Sequence, residues 1–323
     1  MTISVTIPVY NEEQNLSRLC AELIPTLESL RQPWEVVLVN DGSTDGSAAV
    51  LDKLAADDPR LKVIHFRRNA GQTAAMMAGF EYARGDIIVP MDADLQNDPQ
   101  DIPRLLEKLD EGYDVCSGWR QDRQDHALRR NFPSRVANWL ISKVSGVRLH
   151  DYGCSLKAYR REVIKGVRLY GEMHRFIPIY ANWLGAKVTE VPVRHRPRVA
   201  GHSSYGLERI FKVLLDLVVV KFLDRYAQKP IYVFGGFGLL NFAVSLAAGL
   251  WAVYLKYGAG ISFIQTPLPL LVVMSAITGV ICVLLGLVAE MVTRNWHESH
   301  DKRTYIVGAT RNLESGSISA GAD

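Results

Sequence analysis

From Ile231 to Leu255 the chain carries no charged side chain, and from Tyr257 to Ala289 it carries none again, with Pro267 and Pro269 interrupting the start of the second run. A helix of about 20 apolar residues crosses the hydrocarbon core of a bilayer, so these runs predict two transmembrane helices, about 231–255 and 268–290. The alternative is a pair of buried core helices, but core helices seldom run so far without a charge. Before residue 230 charges recur every few positions. The overall 48% hydrophobic and 22% charged content therefore averages a globular region with a membrane hairpin. Arg225 and Lys229 precede the first run, and Arg294, Lys302 and Arg303 follow the second. Only Lys256 lies in the connection. Basic residues stay on the cytosolic side, so the N-terminal region and the tail are both expected in the cytosol. "MTISVTIPVY" lacks the basic and apolar regions of a signal peptide.

The globular region alternates strand and helix patterns. "ISVTIPVY" reads as a buried strand. Leu16, Leu19, Leu23, Leu27 and Leu30 then form one helical stripe. "WEVVLVN", "LKVIHF" and "DIIVPMDAD" read as further strands, with helices over "AAVLDKLAAD" and "GQTAAMMAGFEYARG", the latter closing on Gly85 as a C-cap. Such alternation predicts βαβ units and a mostly parallel sheet covered on both faces. Ligands of these sheets bind beyond the carboxyl ends of the strands. Asn11–Glu12, Asp41–Gly42 and Asp92–Asp94 all fall there, so three acidic turns converge on one edge. Each turn alone would be an ordinary surface loop. Residues 206–229 are apolar with spaced charges and predict an amphipathic helix lying in the membrane interface, the alternative being a core helix. The tail, 292–323, ends in small polar residues and is expected to be partly disordered. Cys20, Cys116, Cys154 and Cys282 form no CxxC pair, so neither a zinc site nor a disulfide framework is expected. A net charge of +3 is too small to argue for a nucleic-acid partner.

"VTIPVYNEEQNL", "VVLVNDGSTDGS", "RNAGQTAAMMAGFEYARGD", "DADLQNDP" and "DYGCSLKAYRR" occur in this order. With them the chain resembles family 2 glycosyltransferases of the GT-A fold, and its two C-terminal spans resemble the polyprenyl-phosphate branch, which includes dolichyl-phosphate mannose synthases. The resemblance implies an α/β GT-A domain over 1–205, the interfacial helix 206–229, two spans within 230–291 and a cytosolic tail. It also implies a membrane-bound enzyme that moves one sugar, with inversion, from a UDP- or GDP-linked donor to undecaprenyl or dolichyl phosphate, using Mg²⁺ or Mn²⁺. Processive polysaccharide synthases share the fold but carry a QxxRW motif, and no "RW" occurs here. A non-catalytic carrier or scaffold is the other alternative.

By the resemblance, Asp94 and Gln96 contact the metal, and Asp92 lies nearer the ribose or touches the metal through water. Hard oxygen ligands suit either ion. Pro8, Tyr10, Glu12 and Asp41 match the positions that hold base and ribose. Arg120, Arg130, Ser134 and Arg198 match those expected at the acceptor phosphate, with Lys157 beside them, as arginine forks pair well with phosphate. Ser204 stands where relatives often carry lysine, and His202 is a candidate substitute. Five arginines fall between 118 and 135; Arg123 is read as solvated. Asp151 matches a position sometimes cast as general base. A phosphate monoester with a second pKa near ~6 arrives largely deprotonated, so Asp151 is expected to orient the sugar or a cationic neighbour instead. The glycines of "FGGFGLLN" would let helices approach closely, as in a homo-oligomer, the alternative being that they are ordinary residues of a span.

Overall fold

The alternating pattern folds as an eight-stranded sheet in the order β7-β5-β6-β4-β1-β2-β3-β8. The strands are β1 (Ile3–Val9), β2 (Trp34–Asn40), β3 (Leu61–Phe66), β4 (Ile87–Pro90), β5 (Val115–Trp119), β6 (Lys157–Arg160), β7 (Val188–Pro192) and β8 (Val307–Arg311). Helices α1 (Glu13–Ser29), α2 (Ser47–Asp57), α3 (Gln72–Tyr82) and α4 (Ile102–Asp110) connect the early strands, and α5 (Arg161–Lys165) and α6 (Ile177–Trp183) follow β6. The structure, a computed structural model, describes residues 1–121, 141–142, 145–165, 173–196, 231–298 and 306–313. Arg123, Arg130, Ser134, Arg198, His202, Ser204 and the amphipathic segment 206–229 lie outside the described residues. The chain divides into two units, Met1–Leu217 with Lys302–Asp323, and Val218–Asp301.

In the first unit β1 pairs in parallel with β2 and β4, and β2 with β3. Period-two alternation sorts their side chains. Ile3, Val5, Ile7 and Val9 join Val36 and Leu38 in one core with Leu16, Leu19, Leu23 and Leu27, the expected stripe of α1. Val37, Val39, Ile64 and Phe66 point to the other face, against Ala74, Ala75, Ala78 and Tyr82 of α3. β6 is inserted antiparallel between β4 and β5, and β7 runs parallel to β5.

Two expectations change. Helix α3 stops at Tyr82 with Ala83 extended, so Gly85 is not its cap. A Cβ on Gly85 would lie 2.6 Å from Ser4 Oγ, so close approach to β1 is what requires glycine there. The small, polar tail also contributes a strand that was not expected. Residues 307–311 form β8, antiparallel to β3, and Val307 and Leu313 pack on the α3-side core.

The second unit holds α7 (Ile231–Gly258) and α8 (Leu268–Glu298), longer than the expected spans at their C-terminal ends. Both are long and apolar enough to cross a membrane, and only 17% of each apolar window is buried, unlike the mostly buried core helix of a soluble protein. The two pack through glycine. A Cβ on Gly238 would lie 2.8 Å from Val283 Cγ2 and 3.0 Å from the Gly279 carbonyl; one on Gly279 would lie 2.9 Å from the Phe242 ring. Small residues of this kind bring helix backbones together in lipid, and Ser245 Oγ adds a 2.9 Å bond to the Val272 carbonyl. Of the "FGGFGLLN" glycines, Gly238 makes the close contact, whereas Gly236 has nothing within 4 Å. Gly279→Leu should therefore cost about 1–3 kcal/mol by overpacking and lower the thermal midpoint in detergent. Gly236→Leu should leave it unchanged.

Candidate active site

Parallel register brings the ends of β1, β2 and β4 level. The Asp41 amide bonds the Val9 carbonyl at 2.9 Å and the Met91 amide bonds the Thr6 carbonyl at 3.0 Å. The first two turns lace together. Asn11, held at φ 56°, accepts from Thr44 N at 2.8 Å through its side chain. Its amide donates to Ser43 Oγ at 3.0 Å, and the Glu12 amide donates to Ser47 Oγ at 3.0 Å. Gly42 has φ 65°, and a Cβ there would meet the backbone of Arg68 and Asn69 at 2.5 Å. Asp41 is buried, and its carboxylate accepts the amides of Ala70 at 2.6 Å and Gly71 at 2.9 Å, just ahead of α3. Burial raises its pKa, while the two amide bonds pull it down. Pro8 is half-buried, and Tyr10 is 48% exposed, so it is a rim residue and not a core aromatic.

The turn after β4 gathers Asp92, Asp94 and Gln96. Its backbone is strained where Leu95, a buried non-glycine residue, takes φ 60°. The Gln96 amide closes the turn onto Asp94 Oδ1 at 3.2 Å. Asp92 Oδ1 accepts from Gln72 Nε2 at 2.9 Å. Burial, then the charge of Asp94, raise the Asp92 pKa against a Ser155 hydrogen bond and the fields of Arg120 and Lys157. Two crowded carboxylates and an amide oxygen form a hard donor set of the kind Mg²⁺ and Mn²⁺ take, with substrate phosphates completing the shell. No group of three or more His, Cys, Asp or Glu residues that could hold a metal occurs among the described residues.

Asp151 is buried, and its two oxygens fork onto Arg120, at 2.7 Å to Nε and 3.1 Å to Nη2. The Gly153 amide adds a bond at 3.0 Å. Lys157, expected beside the acceptor phosphate, is buried. Its ammonium donates to the carbonyls of Tyr152, at 3.3 Å, and Cys154. Burial lowers its pKa, while Cys154 and Asp151 oppose that shift. Lys157 therefore braces the 152–154 turn.

Several participants went unread in the sequence. Gln72 sits in a motif block, but nothing marked its bond to Asp92. Thr73 Oγ1 meets His174 Nδ1 at 2.8 Å. His174 keeps some exposed edge, but its ring is desolvated and its pKa falls to about 3, with Arg175 and Lys157 adding to the effect. The described basic residues just after β7 engage carboxylates: Arg194 and Arg196 both reach Asp98, at 3.4 Å and 3.0 Å, and Arg196 also pairs with Glu22. The Arg196 amide bonds the Gln96 carbonyl at 2.9 Å, and Asn97 donates to Ser155 Oγ at 2.7 Å, so the acidic turn is held from both sides.

A model described as glycosyl transferase family 2 matches residues 4–168. Dodecaprenyl-phosphate galacturonate synthase of Rhizobium johnstonii is 39% identical over 95% of this chain and 92% of its own. The undecaprenyl-phosphate 4-deoxy-4-formamido-L-arabinose transferase of Shewanella sediminis is 38% identical over 94% and 91%. Glucosyl-3-phosphoglycerate synthase of Mycobacterium tuberculosis, solved with Mn²⁺, UDP and phosphoglyceric acid, superposes with TM-score 0.52 at 18% identity, covering 69% of this chain and 78% of that one. At that identity the likeness is one of fold.

A histidine whose folded pKa is depressed stabilises the fold fully above its ordinary value, and that contribution is lost as pH falls. For His174 the window runs from about 6.5 down to about 3. His174→Asn should flatten the acid limb of thermal midpoint against pH in this window, by up to about 1.4 kcal/mol per pH unit.

Proposed function

The chain belongs to glycosyl transferase family 2, and on that premise we propose that it transfers a single sugar, with inversion, from a nucleotide-sugar donor to a polyprenyl phosphate at the cytosolic face of a membrane. One observation carries this reading. The acidic turn at the end of β4 lies within the electrostatic reach of Arg120, which forks onto Asp151, in a chain that continues into an apolar helix hairpin. The two curated relatives, named for transfer involving dodecaprenyl or undecaprenyl phosphate, support the acceptor class. A strand paired into a sheet shares its compartment, so the pairing of β8 with β3 supports an even number of crossings and a common side for both ends. The positive-inside pattern supports the cytosol as that side.

Pro8, Tyr10, Glu12 and Asp41 form the nucleotide cradle, Asp92 lies at the ribose, and Asp94 and Gln96 hold a divalent ion. The ion, when bound, offsets the charge that builds on the departing diphosphate. Arg120, held along one edge by Asp151, presents a fixed guanidinium to the acceptor phosphate, with Arg130, Ser134 and Arg198 as its partners in that task. The acceptor arrives as an anion, so alignment and charge compensation dominate over proton removal. With both Asp151 oxygens engaged, its role is to position Arg120. Lys157 supports the same turn from beneath.

The decisive assay incubates detergent-purified protein with UDP- and GDP-sugars and undecaprenyl or dolichyl phosphate, and weighs the lipid product. Sugar-phosphate lipid formed only with divalent ion is expected; free polymer, or no product with any donor, overturns the reading. Asp94→Ala should lower turnover by about 10²-fold or more. Asp151→Asn should lower it less than about tenfold, with an unchanged pH–rate profile. A fall of ~10²–10⁴-fold would identify Asp151 as a general base instead.

A further inference from the structure

We infer that the C-terminal strand β8 positions the donor-nucleotide cradle, through Arg311, Asp52, His65 and Asn40. The inference rests on the reading above that the 40–44 turn holds the donor.

The strand is firmly seated. The Asn312 side chain, at φ 58°, donates to the carbonyls of Ala55 at 2.6 Å and Leu61 at 2.8 Å, closing the end of α2 and the start of β3. Arg311 forks onto Asp52 of α2, with Nε 3.0 Å from Oδ1 and Nη2 3.2 Å from Oδ2. Asp52 Oδ1 lies 3.2 Å from His65 Nε2, and His65 Nδ1 lies 2.9 Å from Asn40 Nδ2. Asn40 Oδ1 accepts the Ser43 amide at 3.0 Å.

One backbone group sets the direction of the whole chain. The Ser43 N–H can only donate, so the Asn40 atom facing it is the oxygen and the atom facing His65 is the NH₂. His65 Nδ1 must then accept, its proton sits on Nε2, and Nε2 donates to Asp52. The side chains thus form a continuous polar relay between the Asn40–Thr44 turn and β8, in which Ser43, Asn40 and His65 donate in succession towards Asp52 and Arg311 donates to Asp52 from the other side. That turn is laced to Asn11 on the β1 side, so a shift at Asn40 reaches both walls of the cradle.

The Arg311–Asp52 pair adds little stability, because their side chains are 47% and 40% exposed and such pairs are weak. What the fork fixes is the rotamer of Asp52, and hence the acceptor that holds His65, whose side chain is only 13% exposed. Loss of Arg311 is therefore felt in donor affinity more than in folding.

The test uses the full chain in detergent and measures KM for the nucleotide sugar and for polyprenyl phosphate, kcat, UDP or GDP affinity with Mn²⁺ by calorimetry, and the thermal midpoint. The variants are Arg311→Ala, Arg311→Lys, Asp52→Asn, the Arg311→Ala/Asp52→Asn double variant, and Tyr10→Ala at the exposed cradle rim. Arg311→Ala should raise donor KM about three- to tenfold, within the range that residues off a ligand impose on its site. Acceptor KM and kcat should stay within about twofold, and Arg311→Lys should recover part of the loss. The double variant should be no worse than Asp52→Asn alone, because a relay is broken once. If Tyr10→Ala weakens the donor but Arg311→Ala and Asp52→Asn do not, the cradle stands and the relay is refuted. An equal loss in every kinetic constant together with a lowered midpoint would make β8 merely structural and also refutes the relay. If Tyr10→Ala leaves donor affinity unchanged, the cradle assignment fails and the relay fails with it.

Discussion

Carboxylates gathered at one end of a parallel sheet repel each other and lose water, and the first unit is organised around answering that problem. Each receives a different counterpart. Asp41 is met by two backbone amides ahead of α3, the end of a helix that favours negative charge. Asp151 is met by the Arg120 fork, and Asp98 and Asp101 by Arg194, with Arg196 adding a second partner for Asp98. Asp92 and Asp94 differ. Asp92 has an amide from Gln72 and the more distant fields of Arg120 and Lys157, and its pKa stays raised. A divalent cation is the counterpart that would answer the charge of this pair, in keeping with the proposed donor site at the turn after β4.

The same compensation explains why basic residues here divide into two kinds. Arg194 and Arg196 belong to a stretch that looks like an anion-binding patch, yet their guanidinium groups lie on Asp98, Asp101 and Glu22. They fasten the segment after β7 to the acidic turn. Arg120 is oriented by Asp151 and stays partly exposed. Composition alone cannot separate these roles, because a positioned arginine and a ligand-binding arginine read alike until the carboxylates are placed.

What the sequence revealed follows from how local each signal is. The leucine stripe of α1, the β-branched strands and the uncharged runs depend on neighbours a few residues away, and all reappear in the structure. The ends of β1, β2 and β4 were legible because a parallel sheet forces them to one edge. Helix α3 is buried nearly all round, so its limits carried no amphipathic signature and Gly85 was misread as a cap. Strand β8 was missed because "VGATR" is short, small and polar, and its partners lie more than 240 residues earlier. Lys157 was read as a phosphate ligand because its motif position says nothing of depth; only the fold shows the ammonium directed at backbone carbonyls.

The fold also bears on whether the site needs a base. A base must have a lone pair directed at the proton it takes. The Asp151 oxygens accept two guanidinium N–H groups and the Gly153 amide, all from within the protein. Freeing one would break half of the fork that orients Arg120. An acceptor that is already anionic makes that rearrangement unnecessary. The geometry therefore fits a reaction in which the nucleophile brings its own charge, and the protein's work is to hold two phosphate groups of like sign on opposite sides of one sugar carbon.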